Sequence, residues 1–215
     1  GTGFAFSDAL AEGDGFAMPI VRTTDRGQTW ARVNPARVPS AREGEGGYAS
    51  SGACAVAGAG GQGWIVTNGG PGQGDTDRIL ATTDYGQTWT ARDVPIGSTE
   101  GGVGLSTAAW TDSFQFAGLL GAVDSTVVLR SDDGGFGWER LSGVGAGQVY
   151  GLAAYDEEGR TYVAATGPGG LSVSSDGGET WRVLTDAVLW TVAPHPDGGF
   201  VAAGRGGIFA RIRVE

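Results

Sequence analysis

Short apolar runs broken by glycine-rich polar segments recur along the whole chain, and their lengths predict strands rather than helices. Gly3–Ser7, Ile20–Thr23 and Thr29–Val33 form a first group. The second is Ala49–Ala57, Gly63–Thr67, Arg78–Thr82 and Thr88–Arg92, and the third Val103–Trp110, Phe114–Leu120, Thr126–Ser131 and Trp138–Leu141. The fourth is Val149–Tyr155, Thr161–Thr166, Leu171–Ser174 and Thr180–Leu184. Val188–Ala193, Phe200–Ala203 and Ile208–Val214 close the chain. Three groups thus have four strands, and the first and last have three.

A repeat punctuates these groups. Thr23–Trp30, Thr82-Thr83-Asp84-Tyr85-Gly86-Gln87-Thr88-Trp89, Ser131–Trp138 and Ser174–Trp181 all read Ser/Thr-x-Asp-x-Gly-x-x-Trp. Their tryptophans lie 59, 49 and 43 residues apart, and the shortest step approaches the length of a four-stranded propeller blade. The motif predicts a turn. Its Asp (Asp25, Asp84, Asp133, Asp176) accepts hydrogen bonds from backbone N–H groups two or three residues on. Its Gly (Gly27, Gly86, Gly135, Gly178) supplies a backbone angle that a β-carbon penalises. Its Trp (Trp30, Trp89, Trp138, Trp181) opens the return strand and covers the corner. One carboxylate at a fixed place per copy falls far short of the six to eight oxygens calcium takes, so no metal is assigned to the motif.

Composition agrees with strands and turns. Forty-two glycines would be costly in helices, at about 1 kcal/mol each in an interior. The architecture expected is all-β: a β-propeller of four-stranded antiparallel blades with about five blades represented.

The four segments resemble Asp-box (BNR) repeats, the turns found in sialidases, sortilin-type receptors and photosystem II assembly/stability factor-like proteins. Arg22-Thr23-Thr24-Asp25 and the Gly-x-Thr-Trp wording are most similar to bacterial proteins of the last group. That resemblance implies a seven-bladed ring whose final blade is completed by an N-terminal strand. On that basis residues 1–215 read as one propeller domain lacking its N-terminal blades, with a missing N-terminal segment or a second chain closing the ring. The alternative is a small five-bladed closure. The resemblance also implies an extracytoplasmic, bacterial-like location, periplasmic or secreted.

Charge narrows the partners. The net charge is −10, every basic residue is Arg, and no basic run exceeds two residues. Nucleic acid and anionic membrane surfaces, which attract clustered Lys and Arg, are not expected partners. No apolar run approaches the roughly 18 residues of a membrane span, so no membrane insertion is expected. Cys54, the single cysteine, lies among small residues and reads as a structural thiol. No Gly-x-Gly-x-x-Gly follows a strand and opens a helix, so no cofactor is expected.

Function is sought instead in the long connections. Ser7–Pro19, Asn34–Tyr48, Asn68–Asp77 and Asp93–Gly102 read as irregular loops on the face opposite the Asp-box turns. They bring Arg37, Arg42, Glu43, Glu45, Asp75 and Asp77, with Asp8, Glu12, Asp14 and Glu100, to one face that suits a protein or glycan ligand. The reading is a non-catalytic binding or assembly scaffold. The alternative is a sialidase-like glycoside hydrolase with part of its site in missing blades. For it, the sequence offers Arg160-Thr161-Tyr162, Arg205 and the Asp156-Glu157-Glu158 turn, without the Arg-Ile-Pro motif of sialidases. His195, the sole histidine, sits in a Pro-His-Pro-Asp-Gly surface turn with no nucleophile placed beside it.

Overall fold

The computed structural model describes residues 1–48, 53–69, 76–95, 104–120 and 127–214. Among these residues the regular structure is strand, apart from short 3-10 turns at Pro35–Arg37, Ala59–Gly61 and Arg205–Gly207. Five sheets follow the grouping expected from the sequence. The first holds Gly3–Phe6, Ile20–Thr23 and Ala31–Arg32; the second Ala55–Ala57, Gly63–Thr67, Thr76–Thr82 and Thr90–Pro95. The third holds Gly104–Trp110, Gln115–Leu120, Val128–Ser131 and Glu139–Leu141; the fourth Gly151–Glu157, Arg160–Gly167, Gly170–Ser174 and Arg182–Thr185. The fifth holds Leu189–Pro194, Phe200–Gly204 and Phe209–Ile212. Neighbouring strands in each are antiparallel, the form of a propeller blade. They follow one another in the chain except in the first sheet, where two further strands intervene between Gly3–Phe6 and Ile20–Thr23.

The apolar alternation explains why the blades stack. Every residue of Gly63–Thr67 is buried, because both faces of that strand are covered. Trp64 and Val66 join a core layer with Leu105, Ala108 and Leu129 of the third blade. Ile65 points the other way, into a layer with Met18 and Ile20 of the first. Corresponding layers join the third blade to the fourth and the fourth to the fifth. The period of two in a strand is what lets one sequence serve two neighbours.

The four Asp-box corners share one hydrogen-bond pattern. The leading Ser or Thr hydroxyl donates to the Asp carboxylate and accepts the N–H of the motif's Gly, at 2.7 and 2.9 Å for Thr23 and 2.7 and 2.8 Å for Ser174. The Asp carboxylate then accepts N–H groups three and four residues on, as Asp84 does from Gln87 and Thr88 at 2.9 Å. That is one residue further than expected, because two successive residues take left-handed angles and lengthen the turn. They are Arg26 and Gly27 in the first copy (φ 64° and 85°) and Tyr85 and Gly86 in the second (φ 61° and 79°). The indole N–H of each Trp closes the corner by donating to that Gly carbonyl, at 3.1 Å for Trp89 and 2.8 Å for Trp181. The return strand therefore starts one residue after each Trp.

Three of the four corners are also joints between blades. Trp89 meets Phe4 of the first blade edge-on at 4.9 Å, and Trp138 lies 5.8 Å from Trp64 of the second. Trp181 packs on the layer that includes Leu141 of the third. A β-carbon at Gly178 would come within 2.6 Å of that Leu141 side chain, so the corner and its neighbour fit closely.

Several segments depart from expectation. Asp77 and Asp93, expected in loops, lie in the strands Thr76–Thr82 and Thr90–Pro95. Ser7–Pro19 and Asn34–Tyr48 are not irregular throughout: Leu10–Glu12, Gly15–Ala17 and Ser40–Ala41 pair into a small three-stranded sheet beside the first blade. Gly13, at φ 61°, makes the hairpin turn possible. Of the expected strand Ala49–Ala57, residues 49–52 lie outside the described residues.

Two stability outcomes follow from the corners. Trp89 is 5% exposed and Trp30 is 48% exposed. Trp89→Ala should lower unfolding free energy by about 3–5 kcal/mol, as large-to-small core changes do, and Trp30→Ala by under about 1.5 kcal/mol; urea denaturation measures both. Hydrogen bonds from the Thr29 side chain, then its backbone N–H, pull the Asp25 carboxyl down to about 2. Asp133 is lowered too, chiefly by the Gly137 N–H. The folded chain thus holds fewer protons than the unfolded chain at acid pH. Stability should fall as pH drops from about 4 towards 2, read as the thermal midpoint against pH.

Candidate functional site

The connections between the second and third strands of a blade, and between one blade and the next, leave the sheets on the same face. The second blade anchors a charged cluster there. Glu45, fully buried, accepts from the Arg78 guanidinium through both carboxylate oxygens, from the Thr67 hydroxyl at 2.7 Å and from the Arg42 backbone N–H at 2.8 Å. The Arg42 side chain reaches the Asp93 carboxylate at 2.8 Å and the Thr76 carbonyl at 3.3 Å. Asp77, 4% exposed, accepts the backbone N–H of Gly69 at 2.6 Å and of Leu105, at the start of the third blade, at 2.5 Å. Burial pushes the Asp77 carboxyl above its ordinary range, against the two N–H donors that pull it down.

Of the loop-face residues named from the sequence, Arg42, Glu45 and Asp77 thus meet in one bonded region that ties the first three blades together. Arg37 and Glu43 are exposed, and Asp75 and Glu100 lie outside the described residues. Asp8 accepts the Gly47 N–H at 3.1 Å, and Glu12 pairs with Arg32. Arg78, which the sequence reading left unassigned, is the partner that makes burial of Glu45 tolerable. Unpaired, a buried carboxylate is strongly disfavoured.

A cleft of about 310 Å³ lies on the flank between the first blade and the Asp-box corner of the second, lined by Arg22, Thr24, Thr29, Ala31, Arg32, Val33, Asn34, Arg37 and Gln87. Its charged lining consists of three arginines. Arg22 sits on the middle strand of the first sheet, and its Nε donates to the Tyr85 carbonyl at 2.6 Å, which fixes the guanidinium at the cleft wall. Arg32 follows on the outer strand and is paired with Glu12. Arg37 lies in the short 3-10 turn that Asn34 caps by accepting the Ala36 N–H at 3.0 Å. The Arg37 carbonyl accepts the Trp89 N–H at 2.9 Å, so the turn is pinned to the next blade. The neighbouring carboxylate, Asp25, is occupied by Thr23 and Thr29. Arg22 and Arg32 were not singled out from the sequence. The legible signal was local: Ile20–Arg42 carries five arginines against one aspartate in a chain of net charge −10.

Residues considered for hydrolysis are dispersed. Asp156 accepts the Thr161 hydroxyl at 2.5 Å and the Ser113 hydroxyl at 3.2 Å. Tyr162 stacks on Tyr155 at 4.9 Å, and Arg160 and Arg205 are exposed. His195 Nδ1 accepts the Asp197 N–H at 3.1 Å, within its own turn. Cys54 Sγ lies 3.1 Å from the Tyr48 carbonyl oxygen. Among the described residues no three His, Cys, Asp or Glu side chains gather as a metal-binding group.

No protein-family model matches the chain. The photosystem II assembly lipoprotein Ycf48 of Synechococcus sp. (strain CC9902) is 31% identical over 158 residues, 72% of this chain and 42% of that protein. The chain is homologous to it, and spans less than half its length. A solved structure of YCF48 bound to D1 peptide superposes with a TM-score of 0.52 at 19% identity, over 97% of this chain and 65% of that one. The NanB sialidase of Streptococcus pneumoniae superposes with a TM-score of 0.60 at 16% identity, over 88% of this chain and 32% of that one. The solved structures share the propeller fold with this chain.

Breaking the Glu45 cluster should be costly. Glu45→Ala strands Arg78, and should destabilise by about 3–5 kcal/mol, whereas Glu45→Leu combined with Arg78→Met should recover most of that loss. Chemical denaturation of the three proteins measures the difference.

Proposed function

We propose that this chain is a non-catalytic, extracytoplasmic scaffold that binds or assembles a partner protein by holding an acidic segment of it in the arginine cleft. The observation that carries the reading is the charge reversal at that cleft: Arg22 and Arg37 face one groove, beside an Arg32 already paired with Glu12, in an otherwise acidic chain. A planar guanidinium presents paired N–H donors to a carboxylate, and two or three in a groove favour an acidic chain over a neutral one. Thr24, Thr29, Asn34 and Gln87 line the same groove and supply neutral polar groups for a peptide backbone.

The comparisons support a protein partner and the location. The homologous protein is named an assembly lipoprotein, and a structure with the same fold is described as holding a peptide. A hydrolase would need two carboxylates placed together at a substrate. Asp156, in the densest acidic turn, is bonded to Thr161 and Ser113.

A labelled extended peptide bearing three Asp or Glu residues tests the reading by fluorescence anisotropy. Arg37→Glu should weaken its binding about 10- to 100-fold, the equivalent of losing one charge-assisted contact. Binding should also weaken steeply as salt is raised. Arg213→Glu, exposed on the strand end of the fifth blade, should have under about threefold effect. Equal loss for both substitutions, or no preference for the acidic peptide over a neutral one, would falsify the proposal.

A further inference from the structure

The innermost strands share an irregularity that points to a second site. In the third blade the pairing runs Thr107 with Gly118 and then Leu105 with Leu119, so Ser106 is extruded. In the fifth it runs Thr191 with Ala203 and then Leu189 with Gly204, so Trp190 is extruded. In the fourth, Gly151 pairs with Thr166, and Tyr150 also donates its N–H to the Thr166 carbonyl at 2.8 Å. Tyr150 therefore occupies the same place. A bulge of this kind re-aims one side chain out of the sheet. All three stand where the innermost strand is entered from the preceding blade, so they share the rim around the propeller axis on the loop face.

What stands on that rim changes along the chain. The Ser106 hydroxyl is taken up by the Val149 carbonyl at 2.9 Å. The Tyr150 and Trp190 rings stack on each other, centroids 5.0 Å apart and planes 8° from parallel. Trp190 remains 45% exposed. Tyr150 thus holds the indole plane fixed and leaves its outer face to solvent, an aromatic surface that loses little freedom on binding. The Gln148 side-chain oxygen lies 3.4 Å from the Tyr150 hydroxyl, which puts an amide and a phenol at the edge of the stack.

The geometry selects among ligands for aromatic surfaces. Proline-rich segments dock in grooves lined by aromatic rings, and these two rings are closed against each other. A quaternary ammonium group is held by a cage of several rings, and this pair offers one open face. Nucleotides carry phosphates into the field of a chain of net charge −10. One flat apolar face with neutral hydrogen-bonding groups at its edge matches a sugar ring, which has an apolar C–H face and a rim of hydroxyls. We propose that the Tyr150–Trp190 stack is a subsite for a neutral pyranose of a glycan. The sugar ring lies on the outer face of Trp190, which Tyr150 backs from the other side, and a hydroxyl at its rim bonds to the Gln148 amide. This site is separate from the arginine cleft and does not depend on it.

Isothermal titration of the whole chain with cellotriose, maltotriose and triacetylchitotriose tests the site, with saturation-transfer NMR reporting which sugar protons touch the protein. At least one trisaccharide should bind saturably, through its C–H face. Trp190→Ala should weaken that binding at least about tenfold, Trp190→Phe should weaken it less, and Arg37→Glu should leave it unchanged. Circular dichroism and the thermal midpoint would establish that both Trp190 variants are folded. The proposal is overturned if none of the three sugars binds at about 10 mM, if folded Trp190→Ala binds as the parent does, or if a proline-rich peptide binds at Trp190 while the sugars do not.

Discussion

The first four blades of this structure hang on the Asp-box corner, and above all on the tryptophan that closes it. The Ser or Thr hydroxyl, the Asp carboxylate and the left-handed Gly fix the turn between the third and fourth strands. The indole N–H then locks the ring over that turn. Because the ring also packs on the blade before it, one local motif sets both the bend of a blade and its contact with a neighbour. The strands between corners need only alternate apolar side chains between the two flanking layers.

That economy leaves the opposite face free to vary, and the structure varies there. The second blade's connections are drawn inward around Glu45 and Arg78, while Asp77 reaches across to the third blade through the Leu105 N–H. The connections of the first blade fold into an extra sheet. Its Glu12 pairs with Arg32, and the Arg37 turn is pinned by Trp89. Arg22 and Arg37 therefore face one groove from rigid supports, as a preorganised binding site requires.

Much of the fold was legible in the sequence because its determinants are local. The Asp-box residues act within eight positions of one another, and period-two runs announce strands wherever they occur. Residues such as Gly63–Thr67 and Gly151–Tyr155 could be placed before any contact was known. The site was less legible because its determinants are distant. Glu45 reads as a surface charge until Arg78, 33 residues on, is seen beside it. Arg22, Arg32 and Arg37 have ordinary spacing, and only the position of Gln87 in the next blade turns them into a cleft. Tyr150 and Trp190 share no motif at all. Their equivalence comes from strand register, which a linear reading cannot supply. The hairpin Leu10–Ala17 was missed for a milder reason: its strands are three residues long, too short for alternation to stand out from a polar loop.

The central claim is that an acidic protein segment is held in the arginine cleft. Hydrogen exchange of the chain with and without a saturating acidic peptide tests it most directly, because it locates binding without altering the protein. Slowed exchange should concentrate in Arg22–Arg37 and around Gln87, with the Asp-box corners of the third and fourth blades unchanged. Protection elsewhere on the propeller, or none at saturation, would contradict the claim.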